Sequence, residues 1–245
     1  MKPQVELTPL KVFRISSNQS FLLKDQERLL FVKRYLGPGS GERSSREHEA
    51  LVLWTRAGFK VPRIWPVEIP QFQGTPYLVM EYLGDTTLRQ FLQDSQVDRA
   101  EKLNTIRQLF CENQRRHARV LRDEEPRLIH YDSNTSNLLL AKKDFFYIDF
   151  EAPVRALELA QSISMEIAKC CRWVVRDLGV QECRAVLNLL VEAYREEKEL
   201  LWPIVERTCY RPFQFVHRWK NRRRLKLNPA EITKYVIADE LKKLL

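Results

Sequence analysis

The chain has 245 residues, with 41 Lys and Arg against 32 Asp and Glu, and a net charge of +9. Its 44% hydrophobic and 30% charged residues exclude the disordered and collagen-like classes, and no apolar run approaches the ~18 residues of a spanning helix. Five cysteines without C-x-x-C spacing and four histidines offer no zinc framework. Reduced thiols and an opening MKPQVELTPL without the apolar core of a signal peptide make a cytoplasmic protein the expectation.

In chain order, short strands are predicted at KVFRI (11–15), FLLK (21–24) and LLFVKRYL (29–36), with SSNQS (16–20) as the first turn. GPGSGERSS (37–45) reads as a loop. REHEALVLWTRAG then reads as a helix with Ala50, Leu53, Trp54 and Ala57 on one face and Gly58 as its stop. VPRIWPVEI (61–69) and PYLVMEYL (76–83) return to strand character. Asp98 and Glu101 suggest a capping box for a long helix striped by Leu103, Ile106, Phe110 and Leu121. NLLLA and FFYID form a hairpin-like pair. Helical patterns follow over 154–178 and 182–207, and Asn228-Pro229-x-Glu231 opens a terminal helix. The layout is α+β: a small β-rich lobe over 1–83 and a larger, mainly helical one over 84–245, ending in a basic segment, 211–245.

The stretch RLIHYDSNTSNLLLA (127–141) is the chain's most unusual. A connection between two apolar runs usually bends on Gly or Pro; this one has neither, and holds His130-x-Asp132 and then Asn137. An Asp that orients a hydroxyl beside an Asn whose carbonyl oxygen ligates Mg²⁺ is what phosphoryl transfer requires. Asp149, at the end of the apolar YID strand, offers a second oxygen ligand, and an N-cap for the following helix is its plain structural reading. Lys33 lies on a predicted strand between apolar neighbours, so its buried charge needs a partner. Glu47 and Glu49 are the candidates; Glu47 lies about 60° from the apolar centre of its helix and Glu49 about 100°, so Glu47 is expected to face inward. His117 falls on an apolar stripe and reads as a core histidine.

Taken in order, VKRY, REHEALVLW, YLVMEYLGDTTL, IHYDSNTSN and YIDFE resemble the protein-kinase-like superfamily over roughly residues 10–170. The nearest likeness is to its small atypical branches: the lipopolysaccharide-core Kdo and heptose kinases, the RIO kinases and the small kinase of the KEOPS tRNA-modification complex. The resemblance implies a bilobal fold that uses ATP with Mg²⁺ or Mn²⁺. Lys33 would hold the α/β-phosphates and Glu47 would orient it. Backbone groups of Glu81 and Leu83 would hydrogen-bond adenine, and His130 would brace the loop of Asp132. Asn137 and Asp149 would be the metal ligands.

Three departures shape the expected function. The first turn has no glycine-rich loop, leaving Ser17 and Ser20 among the groups that would cover phosphate. Tyr131 and Glu151 stand where a phosphorylation-switched kinase has Arg and Gly. Helical pattern also resumes soon after Asp149, leaving little room for a peptide-docking segment. The expectation is therefore a kinase acting on a non-peptide hydroxyl, such as a sugar or an anionic glycolipid of lipopolysaccharide-core type. A KEOPS- or RIO-like protein kinase or ATPase working with the tRNA machinery is one alternative, and a pseudokinase scaffold is another. The stretch RPFQFVHRWKNRRRLK (211–226) suggests an anionic surface, either the inner face of a membrane or, less favoured, a nucleic acid. Its plain structural reading is a solvated helix face.

Overall fold

The computed structural model describes residues 11–15, 18–25, 28–141, 144–210, 215–216, 218–219, 223, 226 and 233–245. It divides into two compact units, residues 1–85 with 139–153 and residues 86–138 with 154–245. One is a small antiparallel-sheet unit and the other is mainly helical. This is the expected α+β class.

In the first unit, β1 (Lys11–Ile15), β2 (Asn18–Asp25), β3 (Arg28–Tyr35) and β4 (Tyr77–Glu81) form one antiparallel sheet in that order. Alternation sorts the side chains onto two faces. Phe21, Leu23, Leu30, Val32 and Val79 occupy one face and join Val67, Ile69 and Phe72 in the core. The other face carries Asn18, Ser20, Lys33 and Tyr35, because Ser20 pairs with Lys33 and Asn18 with Tyr35. A slip of one residue would put Lys33 into the apolar core.

Several boundaries differ from the sequence reading. Asn18, Gln19 and Ser20 belong to β2, so only Ser16 and Ser17 separate the first two strands. The polar side chains at 18 and 20 continue the strand alternation, which the run SSNQS concealed. Helix α1 (Ser40–Arg56) begins inside the expected loop, after Gly37 and Gly39 at φ 74° and 68°. Residues 61–69 make isolated bridges at Ile64, to Met80, and at Glu68 instead of a strand, since Pro62 and Pro66 have no N–H to offer a ladder.

The α1 stripe of Ser44, Glu47, Leu51 and Trp54 is buried. The Trp54 ring meets Tyr147 at 4.9 Å and Phe150 at 4.8 Å. Together with the bond from the Tyr147 N–H to the Lys60 carbonyl at 3.0 Å, this seats the hairpin of β5 (Leu138–Ala141) and β6 (Asp144–Tyr147).

The second unit is built on α2 (Leu88–Gln93), α3 (Arg99–Asp123), α4 (Leu159–Leu178), α5 (Cys183–Ala193), α6 (Trp202–Cys209) and α7 (Lys234–Lys242). Sequence reading passed over α2, although Thr87 and Gln90 form a capping box at its start. The Asp98 carboxylate caps α3 by accepting from the Glu101 N–H at 2.8 Å. The buried stripe of α3 runs through Ile106, Leu109, Phe110, Asn113, Arg116, His117 and Val120, so three of its seven residues are polar. Residues 154–158 are not helical, and the expected helix over 182–207 breaks between Ala193 and Trp202, where YREEKE supplies no apolar stripe. The expected cap at Asn228-Pro229 lies outside the described residues, as does much of 211–226. Of that basic stretch, Phe215 and Trp219 are exposed.

Candidate active site

In the first unit Lys33 is buried, and its ammonium meets three carboxylates: Glu47 at 2.7 Å, Asp149 at 2.9 Å and Glu151 at 2.7 Å. Burial works against its charge, but the three acids outweigh it and hold the group above its ordinary pKa. Glu47 is 2% exposed and also accepts from the Tyr35 hydroxyl at 2.7 Å, while Glu49 is exposed. Burial pushes the Glu47 carboxyl up, and Lys33 pulls it back only in part. An ammonium has three N–H donors, so these carboxylates saturate it.

Asp149 takes φ 67°, a left-handed conformation that Asp adopts more readily than most residues. Such strain persists where the surroundings enforce it and gathers at functional sites; here Trp54 grips Tyr147 and Phe150 on either side. Glu151 is held by the Arg43 guanidinium at 2.7 Å and by the Asn18 amide, and its carbonyl accepts from Arg46. Ser20 is buried opposite Lys33, but its backbone lies within the sheet, so its hydroxyl is what it offers a ligand. Ser17 lies outside the described residues. Glu81, exposed at the end of β4, spends its N–H on the Arg63 carbonyl at 2.8 Å, and the half-buried Leu83 follows two residues later.

The second unit holds Asp132 and Asn137. The Asn134 side chain accepts from the N–H groups of Ser136 (2.9 Å) and Asn137 (3.2 Å), and Thr135 donates to Asp177. These side-chain bonds turn the segment without Gly or Pro. The Asn137 amide donates to the Asp132 carbonyl and to its carboxylate, both at 3.0 Å, so Nδ2 is spent on Asp132. Lys169 on α4 donates to the other oxygen of Asp132. Burial raises the Asp132 carboxyl, but Lys169 and Asn137 override it and hold the group below its ordinary value.

Beneath the loop lies a buried ion pair. Arg116, 0% exposed, bonds Glu166 and donates to the Leu128 carbonyl at 2.7 Å. Glu166 accepts from the His130 N–H at 3.1 Å and meets His117 at 3.0 Å. His117, bonded also to the Tyr194 hydroxyl at 2.7 Å, is a core histidine. Lys169 and the Arg116–Glu166 pair escaped the sequence reading. The adjacent Arg116 and His117 on a buried helix stripe are the available signal for the ion pair; nothing local marks Lys169.

Within the first unit, oxygens of Glu47, Asp149 and Glu151 lie within 4.8 Å of one another. Hard oxygen ligands of this kind suit Mg²⁺.

Residues 10–103 match the model of the phosphotransferase enzyme family APH. No curated protein gives a significant match. Among solved structures, an apo pseudokinase is similar at 13% identity and TM-score 0.47, over 99% of this chain and 97% of that one. No helix of the described residues is long and apolar enough to cross a membrane.

Proposed function

We propose that this chain is a member of the protein-kinase-like superfamily and transfers the γ-phosphoryl group of ATP to the hydroxyl of a non-peptide, sugar-like acceptor. The observation that carries this reading is the Lys33–Glu47–Asp149 cluster, three charged groups brought to one point on the polar face of a sheet that is apolar on the other. Mg·ATP would supply the phosphoryl group, with the metal neutralising its charge. Asp149 and Asn137 would hold the metal. Drawing Asp149 onto the cation would release one donor of Lys33 for phosphate, while Glu47 keeps the ammonium in place. Glu81 and Leu83 would present backbone groups to adenine.

Asp132 would accept a hydrogen bond from the acceptor hydroxyl and take its proton as the new O–P bond forms and the β,γ-bridging bond breaks, leaving ADP. Its depressed pKa makes it a weak base. That suits a loose transition state, in which the proton moves late and orientation dominates. Lys169 would fix the carboxylate and offset charge on the transferred group.

The lipopolysaccharide-core type of acceptor, and contact of 211–226 with an anionic surface, belong to this proposal by resemblance. A nucleotide-gated scaffold is the second reading. It is favoured by Glu151, which occupies the third donor of Lys33 and is itself clamped by Arg43 and Asn18. ADP release measured with and without Mg²⁺ over a panel of sugars separates the two, since a scaffold yields no metal-dependent turnover.

A further inference from the structure

Within the second unit, α4, α6 and α7 enclose a cavity of about 360 Å³, a volume suited to a small molecule. Its charge is one-sided. Arg155, Lys169, Arg172, Arg207 and Lys234 line it against one acid, Glu166, which is already matched by Arg116. Among the described residues no carboxylate pairs with Arg172 or Arg207. Two hydroxyls complete the wall. Those of Ser162 and Tyr131 face each other on the cavity wall, and Ser162 is 3% exposed. The cavity also reaches the proposed reacting group, because Lys169 both lines it and donates to Asp132.

We propose that this cavity is the acceptor subsite and that it takes an acceptor bearing an anionic oxygen group, phosphate or carboxylate, held by Arg172 and Arg207. Arg155 and Lys234 add to the field, and Ser162 and Tyr131 supply polar contacts. A polycationic acceptor is disfavoured by the same charges. The assignment rests on the kinase reading, since it places the acceptor beside Asp132.

The test uses the full chain and four probes at matched ionic strength: inorganic phosphate, a neutral hexose, its 6-phosphate and the corresponding hexuronate. Calorimetry without ATP is expected to show at least one of the anionic sugars binding roughly tenfold or more tighter than the hexose. Arg172→Ala with Arg207→Ala is expected to lower that affinity, and that for inorganic phosphate, by roughly tenfold or more, the loss of two charge-assisted contacts. ATP affinity stays unchanged. Arg172→Ala alone, at an exposed position, gives a smaller loss in a variant with no packing to lose. The phosphate and uronate arms identify which anion is preferred. Equal affinity for neutral and anionic sugars, or affinities untouched by both variants, overturns the subsite. In turnover, the double variant raises KM for the anionic acceptor and leaves kcat nearly intact. Binding of the anion with no transfer by the wild type overturns the acceptor role together with the kinase reading, whereas transfer indifferent to the anionic group overturns the subsite alone.

Discussion

Glu166→Gln removes one charge from the buried pair under the Asp132 loop while preserving size and one acceptor oxygen. Arg116 is then buried without its counterion, a change that costs about 3–5 kcal/mol in comparable pairs. The carboxyl itself gives a second figure. Burial alone would raise its pKa, but Arg116 and then His117 hold it at about 2 against an ordinary 4.5. That difference corresponds to about 3 kcal/mol. The two routes agree. Because the folded pKa is depressed, this stability is present above pH ~4.5 and is lost as the pH falls toward 2. Urea unfolding at pH 7 is expected to show the variant less stable by about 3 kcal/mol. Across pH 5 to 2.5 the wild type should lose stability more steeply than the variant. A loss below about 1 kcal/mol, or identical acid slopes, would refute the assignment of Glu166 as the charged anchor of the loop.

Other perturbations read separate parts of the account. His117 has its pKa lowered, chiefly by burial, so the folded state resists its protonation. Wild-type stability should begin to fall as the pH drops below the ordinary imidazole value of 6.5, and His117→Gln should flatten that first part of the curve. Trp54→Ala empties the contact that seats Tyr147 and Phe150 and is expected to cost about 3–5 kcal/mol by denaturant titration; a loss under 1 kcal/mol would mean that the hairpin is held elsewhere. Glu151→Gln removes one carboxylate from Lys33, so ATP binding without metal should strengthen several-fold in calorimetry. No change there would show that Glu151 does not compete with phosphate. Lys33→Met should weaken Mg·ATP binding by roughly tenfold or more, the loss of a charged contact.

Much of this was legible in the sequence because the signals were local. Lys33 stood out as a lysine among strand residues, and the helical angle placed Glu47 nearer the buried stripe than Glu49. Gly58 was read as the stop of α1, and it follows that helix at φ 77°. Signals failed where a pattern was weak or a partner lay far along the chain. The first turn of α1, SGERSS, has no apolar residue to announce it, and VPRIWPVEI has the composition of a strand but prolines where donors are needed. Lys169 pairs with Asp132 across 37 positions, and Glu166 meets Arg116 across 50. Such distances arise only from the packing of α3, α4 and the loop. Asp149 was read for its carboxylate, whereas its left-handed backbone follows from aromatic packing on both sides of it.

Asp132→Asn, compared with the wild type for ADP release with Mg²⁺ and a panel of neutral and anionic sugars, tests the central claim most directly. The account predicts metal-dependent turnover by the wild type, a fall of roughly 10²-fold or more in kcat for the variant, and ATP affinity within about twofold of the wild type as read by calorimetry. Turnover that survives the substitution would contradict it.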